Sequence, residues 1–281
     1  MEICEVEQAR SIPAVAAECD ANRVAVTVVI PCFNEAEGIH HTIASLVRAK
    51  ELCAPQYDLR VLFIDDASTD DTHSQIQAAI GGLPDFELVK HAVNRGITAA
   101  IMTGLAHSTT ELVASLDADC TYDPAQLPHL LPLLTNDVAM VTASPYHPRG
   151  GVENVPAWRL WISGGCSQLY RWVMRTRLYT YTSCFRVYRR SSLLGWVPQN
   201  TGFVGLVEMI RFLEERGERT VECPAVLKVR QFGQSKMRIL RVIQQHLRFI
   251  SQTCIRRITS RKTPSLRTAV HSNSNTNLPT C

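Results

Sequence analysis

Val24–Glu35 reads VAVTVVIPCFNE, and this stretch decides the fold. Its first part, Val24–Ile30, is a largely apolar, β-branched run, which is typical of a strand buried on both faces of a parallel sheet. The run stops at Pro31, where a polar segment begins. Ala36–Lys50 then has the apolar spacing of a helix, so the stretch predicts a strand followed by a crossover helix.

The same alternation continues along the chain. Further strands are predicted at Leu59–Ile64, Phe86–His91, Glu111–Leu116 and Val138–Ala143, with helices at Asp70–Ile80, Arg95–His107 and Pro124–Leu134. Later elements are predicted at Ala157–Arg175, Val204–Arg216 and Met237–Ile258, all helical, and at Thr220–Val229, a strand. The pattern predicts an α/β fold, a mostly parallel Rossmann-like sheet flanked by helices.

Charge divides the chain into two parts. Of the 29 Lys and Arg residues, 11 lie in 223–281, which contains none of the 26 Asp and Glu residues. The first 222 residues therefore carry a net charge of −8 and the remainder +11. We expect a lead-in at 1–22, a globular domain at 23–236, an amphipathic basic helix at 237–258 and a disordered basic tail at 259–281.

The cysteine pattern and the lack of a long apolar run predict the cellular compartment of the protein. None of the ten cysteines forms a C-x-x-C pair, which disfavours a structural zinc site and is typical of reduced thiols. The first 22 residues are too acidic for a signal peptide, and no run of 18 apolar residues occurs. We expect a cytoplasmic protein, peripheral on the cytoplasmic face of a membrane.

Polar clusters follow three predicted strands, at Pro31–Glu35, Asp65–Asp70 and Asp117–Asp119. Carboxyl ends of parallel strands meet at one edge, where α/β proteins bind ligands. One such cluster alone is compatible with helix capping, but three at one edge favour a ligand site. In the D-x-D segment both carboxylates can face one cation, and oxygen ligands suit Mg²⁺ or Mn²⁺. The dinucleotide and P-loop glycine motifs are both absent from the sequence.

These segments resemble the ordered motifs of family 2 glycosyltransferases with the GT-A fold. The resemblance rests on Val28–Glu35, Ile64–Thr72, Asn94–Gly96 and Asp117–Asp119. Later segments resemble the polyprenyl-phosphate sugar synthases, of which the dolichol-phosphate mannosyltransferases are the best-known type. Those segments are Gly150–Gly151, Trp158–Leu160, Ile162–Ser163, Thr182–Ser183, Phe185–Arg186, Glu208 and Arg230–Lys236.

The resemblance implies roles for individual residues. The residues expected to line the nucleotide-sugar are Pro31, Phe33, Glu35, Asp66, Asn94 and Ala118. The expected catalytic residues are Asp117, Asp119, Arg159 and Lys236, and Asp117 and Asp119 are also the expected ligands of Mg²⁺ or Mn²⁺. The expected phosphate and acceptor ligands are Ser163, Arg230 and Ser235.

The implied reaction is an inverting transfer of a sugar from a nucleotide-sugar, GDP-mannose or a UDP-sugar, to a polyprenyl phosphate. A phosphate monoester is already anionic at neutral pH, so no general base is assigned. Two alternatives stay open: a family 2 transferase that acts on a glycan hydroxyl, and a catalytically weak binding module that resembles a glycosyltransferase.

The basic helix at 237–258 has one apolar stripe, formed by Ile239, Leu240, Ile243, Leu247, Ile250, Cys254 and Ile258. Its arginines lie opposite. This pattern favours an interfacial helix on an anionic membrane surface. Ordinary packing on the domain is the alternative. Because the segment has only one aromatic residue, Phe249, to interleave with its basic residues, we expect no nucleic-acid partner.

Overall fold

The computed structural model describes residues 23–233 and 239–260. Its strands are β1 (Val24–Cys32), β2 (Tyr57–Asp65), β3 (Phe86–Lys90), β4 (Leu112–Ser115), β5 (Met140–Ser144), β6 (Gly151–Glu153), β7 (Arg186–Arg189), β8 (Thr220–Pro224) and β9 (Val226–Lys228). Its α-helices are α1 (Ile39–Cys53), α2 (Thr72–Ile80), α3 (Ile97–His107), α4 (Leu127–Leu130), α5 (Ala157–Val173), α6 (Phe203–Glu215) and α7 (Ile239–Ser260).

Seven strands form one sheet in the order β3-β2-β1-β4-β7-β5-β8. All neighbours are parallel except β7, which is antiparallel to both β4 and β5. The predicted mostly parallel α/β sheet is therefore confirmed. The strand order reverses between β1 and β4, and in open α/β sheets a ligand crevice forms at such a point. Strands β6 and β9 form a separate parallel pair.

Helices cover both faces of the sheet. Residues of α1, α2 and α4, among them Leu46, Ile76 and Leu130, belong to one buried apolar cluster. Residues of α3 and α6, with Tyr170 of α5 and Phe249 of α7, belong to a second one. The two clusters form a core on each face of the sheet. Because helices cover both faces, solvent reaches the sheet at the strand ends, where the loops lie.

Two predictions for individual elements are wrong in detail. The strand predicted at Thr220–Val229 is two strands, because the chain leaves the main sheet after Pro224 and pairs with β6. The helix predicted at Pro124–Leu134 contains one α-helical turn flanked by 3₁₀ turns, since its internal prolines lack the N–H that a helix needs. Strands β6 and β7 were not predicted.

The lipid-facing stripe predicted for the C-terminal helix is only partly exposed. In α7, His246, Phe249 and Thr253 are buried, and the helix contacts α5 and α6. Leu240 and Leu247 are exposed. The packed side escaped prediction because two of its three buried residues are polar: His246 bonds the Tyr170 hydroxyl at 2.7 Å, and Thr253 donates to Phe249 O.

The lead-in predicted at 1–22 lies outside the described residues, as does the predicted tail from residue 261 onward. Among the helices within 23–233 and 239–260, none combines the length and the apolar character needed to cross a bilayer.

Candidate functional site

A cavity of about 700 Å³ opens at the carboxyl ends of β1, β2 and β4. It brings together ten of the predicted site residues: Pro31, Phe33, Glu35, Asp66, Asn94, Asp117, Ala118, Asp119, Ser163 and Arg230. Arg159 is not in its lining; it is exposed on α5, with its guanidinium 5.3 Å from the ring centroid of Trp158. Ser235 and Lys236 lie outside the described residues.

Each of the first two strand-end clusters contains one residue with a left-handed backbone, and such a residue directly follows the third. Asn34 has φ 56°, Ala67 has φ 61° and Cys120 has φ 51°. Residues other than glycine adopt this conformation at a cost in free energy, and such residues concentrate at functional sites. The Asn34 turn is braced from the next cluster, since Asn34 N donates to Ser68 Oγ at 3.0 Å and Asn34 Oδ1 accepts from Thr69 N at 2.8 Å.

The Asp66 carboxylate is held by the loop that precedes α3. It accepts hydrogen bonds from Arg95 N at 2.8 Å and Gly96 N at 2.7 Å, and His91 Nδ1 lies 2.6 Å from its Oδ1. Gly96 has φ 90°, and a side chain there would meet Thr201 O at 2.6 Å. This loop therefore fixes the carboxylate at the wall of the cavity, and His91 is a site residue that the sequence interpretation missed.

Asp117 and Asp119 form an acidic pair on the cavity wall. Burial, and then the negative charge of Asp119, raise the pKa of Asp117. Two carboxylates in this situation are stabilised by a cation between them. Within the described residues no three Asp, Glu, His or Cys side chains converge on one metal site. The pair therefore suits a divalent cation that takes its other oxygen ligands from a diphosphate and water.

Arg230 bridges the first and third clusters. Its guanidinium pairs with Glu35 and lies 3.6 Å from Asp119 Oδ2. Burial raises the pKa of Glu35 to about 7; Arg230 opposes this shift and Asp119 adds to it. The neighbouring backbone is held by the turn that precedes α1, since Gly233 N donates to Glu37 Oε2 at 3.0 Å. Arg230 thus supplies positive charge within a ring of carboxylates, where an anionic ligand group can be bound.

The far side of the cavity is mostly apolar and comes from helices remote in sequence. Its apolar lining is Ile97, Ala100, Ile162, Cys166, Leu169, Phe203, Val242, Ile243, Leu247 and Ile250, and His246 lies among them. Sequence reasoning did not assign these residues to the site. The signal that could have found part of them is Ile162, which directly precedes the predicted ligand Ser163. The cavity therefore has a charged end and an apolar end.

Comparison with known proteins places the chain among sugar-transferring proteins. Residues 27–195 match the sequence profile described as glycosyl transferase family 2. The chain is similar to a dolichol-phosphate mannosyltransferase of Pyrococcus furiosus, with 25% identity over 227 residues, 80% of this chain and 62% of that protein. It is also similar to an undecaprenyl-phosphate mannosyltransferase of Micrococcus luteus, with 28% identity over 218 residues, 75% of this chain and 87% of that protein.

Solved structures share the fold. A glucosyl-3-phosphoglycerate synthase from Mycobacterium tuberculosis, in complex with Mn²⁺, UDP and phosphoglyceric acid, superposes with a TM-score of 0.59 at 20% identity, covering 84% of this chain and 79% of that one. A mannosyltransferase from Pyrobaculum calidifontis, in complex with GDP-Man and Mn²⁺, superposes with a TM-score of 0.58 at 23% identity, covering 87% of this chain and 68% of that one.

Proposed function

The chain belongs to glycosyl transferase family 2 and has the GT-A fold, and from this premise we propose that it transfers a sugar from a nucleotide-sugar to a polyprenyl phosphate. The donor is GDP-mannose or a UDP-sugar. The enzyme works as a peripheral protein on the cytoplasmic face of an anionic membrane.

One observation carries the proposal: a single cavity joins Asp117, Asp119 and Arg230 to an apolar wall formed by α5, α6 and α7. A polyprenyl phosphate has the same two-part character, an anionic head on an apolar chain. The similar proteins named for dolichol and undecaprenyl phosphate support this acceptor class. A glycan acceptor would need several hydrogen-bonding partners, whereas this wall presents mostly apolar side chains and one imidazole, that of His246.

The nucleotide half of the donor fits the strand-end turns. Pro31, Phe33 and Glu35 line one side of the cavity, and Asp66 and Asn94 line another. Hydrogen bonds already orient the Asp66 carboxylate, so it meets the base without a change of rotamer. Such preorganisation lowers the entropy cost of binding.

Asp117 and Asp119 would hold the divalent cation, Mg²⁺ or Mn²⁺, against the donor diphosphate. A cation there neutralises charge that develops on the leaving diphosphate. Arg230 would turn from Glu35 toward a phosphate, and Ser163 would donate a hydrogen bond to the acceptor phosphate. The acceptor oxygen then attacks the anomeric carbon as the diphosphate leaves from the opposite face, which inverts the configuration. No side chain needs to remove a proton, since the attacking oxygen is already anionic.

The test is a transfer assay with the full chain, radiolabelled GDP-mannose or UDP-glucose, Mn²⁺ or Mg²⁺ and a polyprenyl phosphate. We expect an acid-labile labelled product that extracts into organic solvent. Asp119→Asn lowers the rate by about a hundredfold or more, the size of effect seen when one electrostatic contact to a transition state is lost. Asp137→Asn, at an exposed carboxylate paired with Arg219, leaves the rate unchanged.

Other products identify the alternatives. Label that stays on an added glycan through mild acid indicates a hydroxyl acceptor and overturns the lipid acceptor. No transfer from any donor, together with unchanged nucleotide binding by Asp119→Asn, indicates a binding module.

A further inference from the structure

Helix α5 exposes three of the four tryptophans of the chain, and we refer to Trp158, Trp161 and Trp172 as the tryptophan face. Their exposed fractions are 49%, 81% and 65%, whereas the fourth, Trp196, is buried. At about 100° per residue the three lie within about 60° of the helix circumference, and they span about 21 Å of its length. Exposed indoles aligned in this way mark an interaction surface.

The opposite side of α5 is already occupied. Ser167, Tyr170 and Val173 are buried, and the Tyr170 ring packs on His246 and Phe249 of α7. Near its end, Arg257 of α7 donates to Trp172 O and Val173 O. Helix α5 is thus fixed to the domain by one side, so that its tryptophan face points away from the core.

The segment that carries this face is basic. No Asp or Glu occurs between Asn154 and Val207, whereas Arg159, Arg175 and Arg177 are exposed on α5 and just after it. A carboxylate from α6 lies at its end, where Glu214 Oε2 accepts from Arg175 N and Thr176 N. Indoles lie at the level of lipid headgroups, with the ring in apolar surroundings and the N–H toward water. Arginines beside them are attracted to the headgroups of anionic lipids.

We propose that the tryptophan face of α5 is the surface by which the protein docks on an anionic bilayer. A second copy fits less well, because a twofold interface would bring the same arginines of the two copies together. The proposal rests on the proposed function in one respect, the need to reach a membrane-borne acceptor. Trp161 directly precedes Ile162 and Ser163, which line the cavity, so docking through this face places the cavity next to the lipid.

This surface differs from the one that sequence reasoning assigned to the C-terminal helix. There the inner side of α7 is used for packing, and its exposed large apolar residues are Leu240, Leu247 and Ile255. In α5 it is the outward side that carries the large aromatic groups. The bilayer contact is therefore assigned to α5, a helix within the domain itself.

The test is sedimentation of the full chain with vesicles of phosphatidylcholine alone or mixed with phosphatidylglycerol. We expect binding to the mixed vesicles and a blue shift of the tryptophan emission. Trp161→Ala/Trp172→Ala weakens the apparent affinity by about tenfold or more, since it removes most of the buried interfacial area. The matched control is Leu194→Ala/Val197→Ala, which removes two exposed apolar side chains elsewhere and leaves binding unchanged.

The outcomes separate this proposal from the proposed function. Equal binding by the wild type and the tryptophan variant, equal loss in the control, or absence of wild-type binding each overturns the docking surface. Self-association of the wild type that is lost in the tryptophan variant overturns it as well. Transfer to a short-chain polyprenyl phosphate dispersed in detergent tests catalysis alone. If that transfer fails while the tryptophan-dependent binding persists, the docking surface stands and the proposed function falls.

Discussion

At the scale of single residues, His91 connects the Asp66 end of the cavity to the helix behind it. Its Nδ1 lies 2.6 Å from Asp66 Oδ1, and its Nε2 lies 2.9 Å from Thr103 Oγ1 on α3. His91 is buried, and no water is needed to complete these contacts. It therefore acts on the ligand through Asp66, as a positioning residue.

His91→Ala is expected to raise the KM for the nucleotide-sugar by about tenfold, with a smaller change in kcat, because the carboxylate loses one of the bonds that orient it. The free energy of unfolding should fall by about 1–3 kcal/mol, the cost of leaving buried polar atoms unpaired. Steady-state kinetics and urea unfolding measure the two effects. His107→Ala, at an exposed position at the end of α3, is the control. A fall in kcat at constant KM would contradict the positioning role.

At the scale of elements, the approach of α3 to β1 depends on Gly104. A Cβ at this position would lie 2.3 Å from Val29 Cγ1, in the middle of a buried strand. Gly165 of α5 has nothing within 4 Å of the same position. A substitution at Gly104 therefore tests close packing against β1, whereas one at Gly165 tests helix propensity alone.

Gly104→Ala should lower the free energy of unfolding by about 1–3 kcal/mol, because the added methyl group forces α3 away from the sheet. Gly165→Ala should raise it by up to about 1 kcal/mol, since alanine favours the helix. Urea denaturation of both variants gives the comparison. If both substitutions stabilise the protein, the close contact between α3 and β1 is wrong.

At the scale of the whole molecule, the docking of α7 makes stability depend on pH. Burial lowers the pKa of His246 from 6.5 to about 4. Above pH 6.5 the imidazole is neutral in the folded and the unfolded chain. Between pH 6.5 and about 4 only the unfolded chain takes up the proton, so stability falls as the pH falls.

Lowering the pH from 7 to 5 should therefore cost the wild type about 2 kcal/mol through His246 alone. Between pH 7 and pH 5, the free energy of unfolding of His246→Gln should fall by about 2 kcal/mol less than that of the wild type. His40→Gln, at an exposed histidine, should behave as the wild type. The measurement is urea unfolding at both pH values, and parallel losses in all three proteins would show that His246 is not the titrating group.

The strand-end half of the site followed from sequence because parallel strands bring their carboxyl ends to the same edge of a sheet. Apolar runs predicted β1, β2 and β4, and the carboxylates that follow these strands had to share that edge. Strand β7 escaped prediction because its Arg186 is fully buried, with Nη1 bonded to Leu206 O and Nη2 to Tyr181 O. An arginine in a short run predicts exposure, and only these distant carbonyl groups make its burial possible.

The apolar half of the cavity could not be predicted for a related reason. Ile97, Phe203 and Ile243 belong to three helices that periodicity identifies but does not arrange relative to one another. Their meeting point depends on α7 packing through His246, whose polarity is compensated by the Tyr170 hydroxyl. Sequence periodicity identifies the apolar face of a helix, whereas the contact between α5 and α7 includes the polar pair of Tyr170 and His246.

The reversed direction of β7 has a consequence for redesign. A parallel strand delivers to the cavity the residues that follow it, but β7 delivers the ones before it: Thr182 lines the cavity, and Cys184 O accepts from Ser115 Oγ at 2.6 Å. The connection from α5 to β7 thus reaches the same edge of the sheet as the turns after β1 and β2, although it belongs to a different part of the chain. Exchanging this connection between homologues would therefore alter its part of the cavity lining and leave the turns after β1 and β2 unchanged.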